Sequence, residues 1–398
     1  MTGRGLISSI AALVVACVLA PAAGASRLEV IDAPSEHVDP RTATFAGGRP
    51  IDALRATVLL PDGYDGRTRL PVLYLIHPTG GDHGTWAREG EGHIAETAKG
   101  LNAIVVMPDA GLGFLTNWWN DGRRAAPAWE RYYLEELIPL IEERYPIRRG
   151  RRWHAIAGYS MGGMGAPFLA GQRPSYFGAA VSLSGFPSIQ RPYLEPGWKT
   201  FSGVEYRDVW GPAPDFYATG HNPVALTDNL RHTRLFVSAG NGVPRPGVPR
   251  DAGAAVVLPV LSMLEHESRL ESDDLVAAAR ASNVRVTYLT GDGVHDWPYV
   301  NEDLRAAIRW GLFEPVAKSP SRWSFRTVAQ QGNAWGLRYA FAEPPAVVQT
   351  LRFDAPVLSG EGRGSITITA PRGCRLTATL PFRRKLPKRC LSGRASPA

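Results

Sequence analysis

From Ile51 onward, short apolar runs alternate with longer amphipathic stretches, the pattern of strand and helix in turn. Val72–Ile76 and 103–107 are apolar at nearly every position. Strands of that kind are covered on both faces, which implies a parallel sheet held between layers of helix. Within 129–145, Tyr133, Leu137, Leu140 and Ile141 recur at helical spacing until Pro146 stops them, because proline lacks the amide a continuing helix needs. Strands follow at 153–157, 179–184, 234–239 and 285–289, with helices over 265–282 and 301–313. This alternation predicts a doubly wound α/β domain over 26–316.

Beyond Ala317 the period changes. The segments 322–327, 337–341, 347–353, 364–369 and 376–380 are short alternating runs divided by Gly and Pro. They predict a small antiparallel β-domain over 317–398. No internal repeat is evident. At the other end, Arg4 precedes an apolar stretch from Leu6 to Ala20, and Ala23, Gly24 and Ala25 follow at a spacing suited to signal-peptide cleavage. The stretch falls short of the roughly 20 residues that span a bilayer, so 1–25 reads as a secretory signal peptide. Val14 to Cys17 loosely resembles a lipidation box, but the apolar run continues past Cys17, which argues against a lipoprotein.

Removal of that leader leaves Cys374 and Cys390, and an even pair in an exported chain predicts one disulfide. The 44 Lys and Arg against 37 Asp and Glu give a formal charge of +7. That balance suits solubility in an exported protein and is compatible with peripheral contact with an anionic cell envelope. The basic residues are scattered, with one cluster from Arg383 to Arg389, and no nucleic-acid-binding motif accompanies them. No clustered His/Cys/Asp set has metal spacing, so no cofactor is implied.

The chemistry centres on Gly158-Tyr159-Ser160-Met161-Gly162-Gly163, which follows a predicted strand and precedes a helix. That is the context of the G-x-S-x-G nucleophile elbow of the α/β-hydrolase fold, where flanking glycines permit a tight strand-to-helix turn. A serine hydroxyl needs a base, and in this fold an acid and then a histidine follow the serine in the chain. Of nine histidines, His295 alone occupies a loop between the last predicted strand and the last helix. The acid should follow the strand at 234–239, with Asp251, Glu265, Glu267 and Glu271 as candidates. Two backbone donors should hold the oxyanion: the amide of Met161, and one from the glycine-bearing loop His77-Pro78-Thr79-Gly80-Gly81, where Thr79 and Gly80 are equal candidates.

These residues resemble the esterase D-like serine esterases, and within them the exported antigen 85-type mycolyltransferases. The likeness covers about 71–313: the strand Val72–Ile76 through His77, with Trp86, the strand near Ile104 with Trp118, Trp129-Glu130, the elbow, Asn222-Pro223, the run from Arg234 to Gly242, and Val294-His295-Asp296-Trp297. In that family the acid is a glutamate at a Leu-Glu step opening the helix after the turn. Leu264-Glu265, with Arg269 following, corresponds to that step, so the resemblance implies Glu265 as the acid. Trp297 corresponds to a sugar-site tryptophan. His77 and Gly80 stand where the mycolyltransferases carry an aspartate and an arginine that help hold trehalose, and the C-terminal β-domain lies outside the resemblance.

The expectation is a secreted serine esterase acting through an acyl-serine on an ester or acyl-lipid. Acyl transfer to a sugar or lipid hydroxyl is the near alternative. A non-catalytic envelope-binding protein is the alternative of a different class, against which the intact serine, histidine and acid argue.

Overall fold

The computed structural model describes residues 25–40, 50–119, 126–191, 198–200, 202–212, 215–248 and 252–391. The proposed leader up to residue 24, with Cys17, therefore lies outside the described residues, as does Asp251. Eight strands form one sheet: β1 (Arg27–Asp32), β2 (Arg55–Leu60), β3 (Val72–Ile76), β4 (Ile104–Pro108), β5 (His154–Tyr159), β6 (Ala179–Leu183), β7 (Arg234–Gly240) and β8 (Val286–Gly291). Their spatial order is β1-β2-β4-β3-β5-β6-β7-β8. The β1–β2 and β2–β4 pairs are antiparallel, and every pair from β4 through β3 to β8 is parallel.

Alternation within each strand divides the interior in two. Val72, Tyr74, Ile76, Val106 and Ile156 enter one core, while Leu73, Leu75, Val105, Ala155 and Ala157 enter the other. Successive side chains of a strand point to opposite faces, and both faces here are covered by helices. That is why the strands read as unbroken apolar runs. Three helices frame the site: α1 (Met161–Gln172), α2 (Ala252–Ala281) and α3 (Trp297–Trp310). All twelve residues of α1 are buried, so it shows none of the amphipathic period of a surface helix.

Two helix boundaries differ from those predicted. Helix α2 begins at Ala252, well before Glu265, because residues 252–264 are almost uniformly apolar and include Pro259. A segment without polar period and with an internal proline carries no helix signature in sequence. Helix α3 starts at Trp297, where the Asp296 carboxylate accepts from the Trp297 amide at 2.8 Å and Pro298 occupies the first turn, a capped start. The predicted helix over 129–145 is continuous but carries a π-helical segment, Tyr132–Leu137. There the Tyr133 hydroxyl donates to the Asp109 carbonyl at 2.9 Å.

The C-terminal segment folds as two four-stranded antiparallel sheets. One has the order β10 (Gln331–Ala334), β11 (Leu337–Phe341), β14 (Ser365–Thr369), β15 (Arg375–Thr379); the other β16 (Phe382–Lys385), β13 (Val357–Glu361), β12 (Gln349–Asp354), β9 (Arg322–Thr327). Trp323, Phe325, Tyr339, Leu351, Phe353, Ile366 and Ile368 share one core. Cys374 and Cys390 are joined as a disulfide. Strands β10, β13 and β16 went unpredicted because glycine or consecutive charges interrupt their alternation. Among the described residues, no helix is long and apolar enough to cross a membrane.

Arg151 fastens this lobe to the large sheet. Its guanidinium is buried and donates to the carbonyls of Pro174, Phe177, His232 and Ala317 at 2.8–3.0 Å and to the Thr233 hydroxyl at 2.9 Å. It also stacks 4.9 Å from the Trp335 ring of the lobe. Burial lowers its pKa to about 9, which leaves it charged at neutral pH. Replacing it strands several buried carbonyls at once. Arg151→Met should lower the unfolding free energy by about 3 kcal/mol and expose the connection near 313–321 to limited proteolysis. Arg151→Lys should recover only part of this, because an ammonium cannot reproduce the five-donor fork.

Candidate active site

Strand β5 delivers Ser160 to the N-terminus of α1 with φ +57° and ψ −115°, a conformation costly for a non-glycine residue. Close packing enforces it. A Cβ at position 158 would sit 2.3 Å from the Gly162 backbone, one at 162 would sit 2.5 Å from the Ile76 carbonyl oxygen, and one at 163 would sit 2.8 Å from the Leu183 oxygen. Glycine at these positions lets the start of α1 press against the ends of β3 and β6. The Ser160 amide donates to the Leu183 carbonyl at 3.0 Å, which pins the turn to β6. Met161 is the first residue of α1, so its amide is among those a helix start leaves without an intrahelical acceptor.

His295 lies on the loop between β8 and α3, anchored by its amide to the Leu261 carbonyl at 3.1 Å. Its ring packs 4.7 Å from that of Tyr159 and 5.5 Å from that of Phe186. Nε2 lies 3.0 Å from Ser160 Oγ, and Nδ1 lies 2.8 Å from Glu265 Oε2. A carboxylate can only accept, so Nδ1 carries the proton and Nε2 is left to accept from the serine hydroxyl. The other oxygen, Oε1, accepts from Ser184 Oγ at 2.8 Å and from the Gly240 amide at 2.5 Å. Burial opposes ionisation of Glu265, but the bonds from His295, Gly240 and Ser184 outweigh it and hold the carboxyl below its usual range.

The loops are fitted to each other. A Cβ at Gly240 would meet the Gly293 backbone at 2.6 Å, and Gly242, at φ +83°, lies against the Ser262 carbonyl and donates to Gly293 O at 2.9 Å. The glycines of 240–242 thus let the turn after β7 lie directly on the histidine loop. Glu265 sits mid-helix in α2 and not at its opening, the consequence of the earlier start of that helix.

Over residues 51–310 the sequence matches the Esterase family model. The chain belongs to that esterase family. An esterase of Mycobacterium tuberculosis is 34% identical over 198 residues, covering 46% of this chain and 42% of that protein. The chain thus spans less than half of the length of that relative. The diacylglycerol acyltransferase/mycolyltransferase Ag85C of Mycobacterium avium is 28% identical over 306 residues, covering 66% of this chain and 80% of that protein. The solved structure of Mycobacterium tuberculosis MPT51 superposes with a TM-score of 0.55 at 21% identity, over 72% of this chain and 99% of that one. The serine hydrolase FphF of Staphylococcus aureus gives 0.54 at 21%, over 73% and 100%. These neighbours share the α/β-hydrolase fold, to which this esterase-family chain adds the two C-terminal sheets.

The remaining candidates separate by environment. Glu267 is half-buried on α2. Glu271 is fully buried, accepts from the Ser188 amide at 2.9 Å, and is pushed by burial up to about 8. His77 is locked: Nδ1 donates to the Pro78 carbonyl at 2.7 Å and Nε2 accepts from the Ala110 amide at 2.9 Å, while burial lowers its pKa. Thr79 is half-buried and Gly80, at φ +87°, is exposed. Their loop starts one residue past Ile76, whose carbonyl touches Gly162. The Trp297 ring is partly buried in edge-to-face contact with Trp86 at 5.0 Å and Tyr159 at 5.1 Å, where it supports the ring that packs on His295. Sequence reasoning missed Ser184 and Phe186. Ser184, at φ +42°, immediately follows β6, and nothing in its sequence neighbours marks its bond to Glu265.

A carboxyl whose pKa is raised by folding stabilises least where the unfolded chain ionises and the folded one cannot. Glu271→Gln, which keeps the acceptor for Ser188, should therefore match the parent protein below pH 4.5. It should gain thermal stability over it as pH rises from there to about 8, then hold a constant lead. Melting temperatures across that range measure it.

Proposed function

We propose that this chain is a secreted serine esterase that works through an acyl-Ser160 intermediate, with His295 as general base and Glu265 as its orienting acid. The single observation carrying this reading is the continuous relay Ser160–His295–Glu265 at 3.0 and 2.8 Å. Nε2 takes the Ser160 proton as Oγ attacks the acyl carbon. The imidazolium that forms is stabilised by a carboxylate already held in its charged form. The oxyanion falls to the Met161 amide and to Thr79 or Gly80 at the facing loop. On collapse, His295 returns the proton to the leaving alcohol. Water then enters, deprotonated by the same nitrogen, and releases the acid.

Secretion is supported by the N-terminal apolar stretch and by the Cys374–Cys390 disulfide, since such bonds persist in oxidising compartments. The second reading, transfer of the acyl group to a sugar or lipid hydroxyl in place of water, is favoured by the extent of the match to the Ag85C acyltransferase. Trp297 is the candidate sugar contact under that reading. Its packing against Tyr159 also supports the histidine, so this residue serves hydrolysis and transfer alike.

Ser160→Ala should abolish both p-nitrophenyl ester turnover and fluorophosphonate labelling, and retained turnover would sink the acyl-serine. Glu265→Gln should lower kcat by about a thousandfold with KM little changed. A chain-length series of p-nitrophenyl esters, run with and without trehalose, decides between water and a sugar as acceptor. Release of free acid at a rate indifferent to trehalose supports hydrolysis.

A further inference from the structure

The charge of the chain is partitioned. Residues 317–398 hold 14 Lys and Arg against 3 Asp and Glu, while the rest of the chain holds 30 against 34. The overall +7 therefore belongs to the C-terminal lobe, and the scatter seen along the whole sequence conceals it. Two of the lobe's three carboxylates are already engaged, Asp354 with Arg322 and Glu361 with Arg352. Among the described residues, Arg338, Arg372, Arg375, Arg383 and Lys385 form no ion pair, and all five are exposed.

The fold brings four of these cations to adjoining edges of the two sheets, with Arg338 two strands inward on β11. Strands β15 and β16 are edge strands of the two sheets, joined through Leu380 and Pro381 at one end. At the other end the Cys374–Cys390 disulfide ties the residue before Arg375 to the segment following β16. Arg372 Nη1 reaches the Arg389 carbonyl across the same junction at 3.5 Å. In register, Arg338 pairs with Thr369 and Thr369 with Arg375, so the two arginines flank a threonine on the outer face. The neighbouring outer row carries Thr367 and Thr377, with hydroxyls 3.2 Å apart. Arg383 and Lys385 follow along β16, about 7 Å apart at two residues of strand rise.

We propose that this margin is a docking surface for an acidic polysaccharide. A line of unpaired cations along two edges suits an extended polyanion more than a single small anion, since each charge meets another repeat of the polymer. The intervening hydroxyls suit sugar hydroxyls. A membrane is the less fitting partner: every exposed large apolar side chain among the described residues lies at or before Leu289, so the described part of the lobe offers none to insert into lipid. The proposal needs no part of the catalytic reading.

The test measures binding of the full chain to immobilised polygalacturonate, with neutral dextran, anionic phospholipid vesicles and duplex DNA as comparators. Binding to polygalacturonate that weakens steeply with salt, exceeds that to the comparators, and falls roughly tenfold or more in the triple variant Arg338→Gln, Arg372→Gln, Arg375→Gln supports the proposal. Turnover of a soluble p-nitrophenyl ester should be unchanged in that variant. A control variant, Arg149→Gln, Arg231→Gln, Arg305→Gln, removes the same charge from the catalytic part. An equal loss of binding there means bulk charge alone is responsible and overturns the proposal. Stronger binding to vesicles, DNA or dextran also overturns it. So does a triple variant that binds as before but self-associates, since the cations would then serve to block edge-to-edge strand pairing.

Discussion

The approach of helix α1 to the sheet is the constraint on which the site rests. Three glycines allow the helix start to touch the carbonyls of Ile76 and Leu183, and that contact forces Ser160 into a left-handed backbone conformation. Strain of this kind costs on the order of 1–3 kcal/mol and persists only where the surroundings over-determine it. Here they do, because α1 is buried on every side and the Ser160 amide is bonded to β6. The same contact aims the free amides of the helix start and the serine hydroxyl into one region of space. Loosening any of the three close approaches would let the turn relax, and the hydroxyl would leave the reach of His295.

Electrostatics around the histidine depend on donors more than on depth. Glu265 and Glu271 lie on one helix and both are buried, yet their ionisation is opposite. Glu265 receives bonds from His295, Ser184 and Gly240, whereas Glu271 receives one from the Ser188 amide. Three donors offset the burial of a carboxylate, and one does not. The ionised form of the candidate acid is thus set by what the ends of β6 and β7 present to it, not by its position on the helix.

That explains what was legible in the sequence. The parallel strands could be read because burial on both faces leaves an unbroken apolar run, and Ser160 and His295 because chain order and local context restrict both. The candidate acid was different: the residues alone left four candidates, and Glu265 was preferred only through a family likeness. Its distinguishing partners lie about 25 and 80 residues away in the chain, beyond any local pattern. Residues 252–264 hid a helix because helical period is visible only when one face is polar. Strands β13 and β16 hid for a related reason, since an edge strand rich in charge keeps no clean alternation. Of the basic margin only the cluster from Arg383 to Arg389 showed in the sequence, because counting charges along a chain does not reveal which strands will lie beside each other.

Arg151 has a mechanical consequence. By bonding at once to the connection at Ala317 and to two segments of the large sheet's domain, 174–177 and 232–233, and by lying against Trp335, it braces the junction where a two-lobed chain would otherwise hinge. The lobe is thereby held in one orientation to the large sheet. Any surface on which the lobe came to rest would therefore meet Ser160 at one height and bearing, and only esters within that radius would come to it.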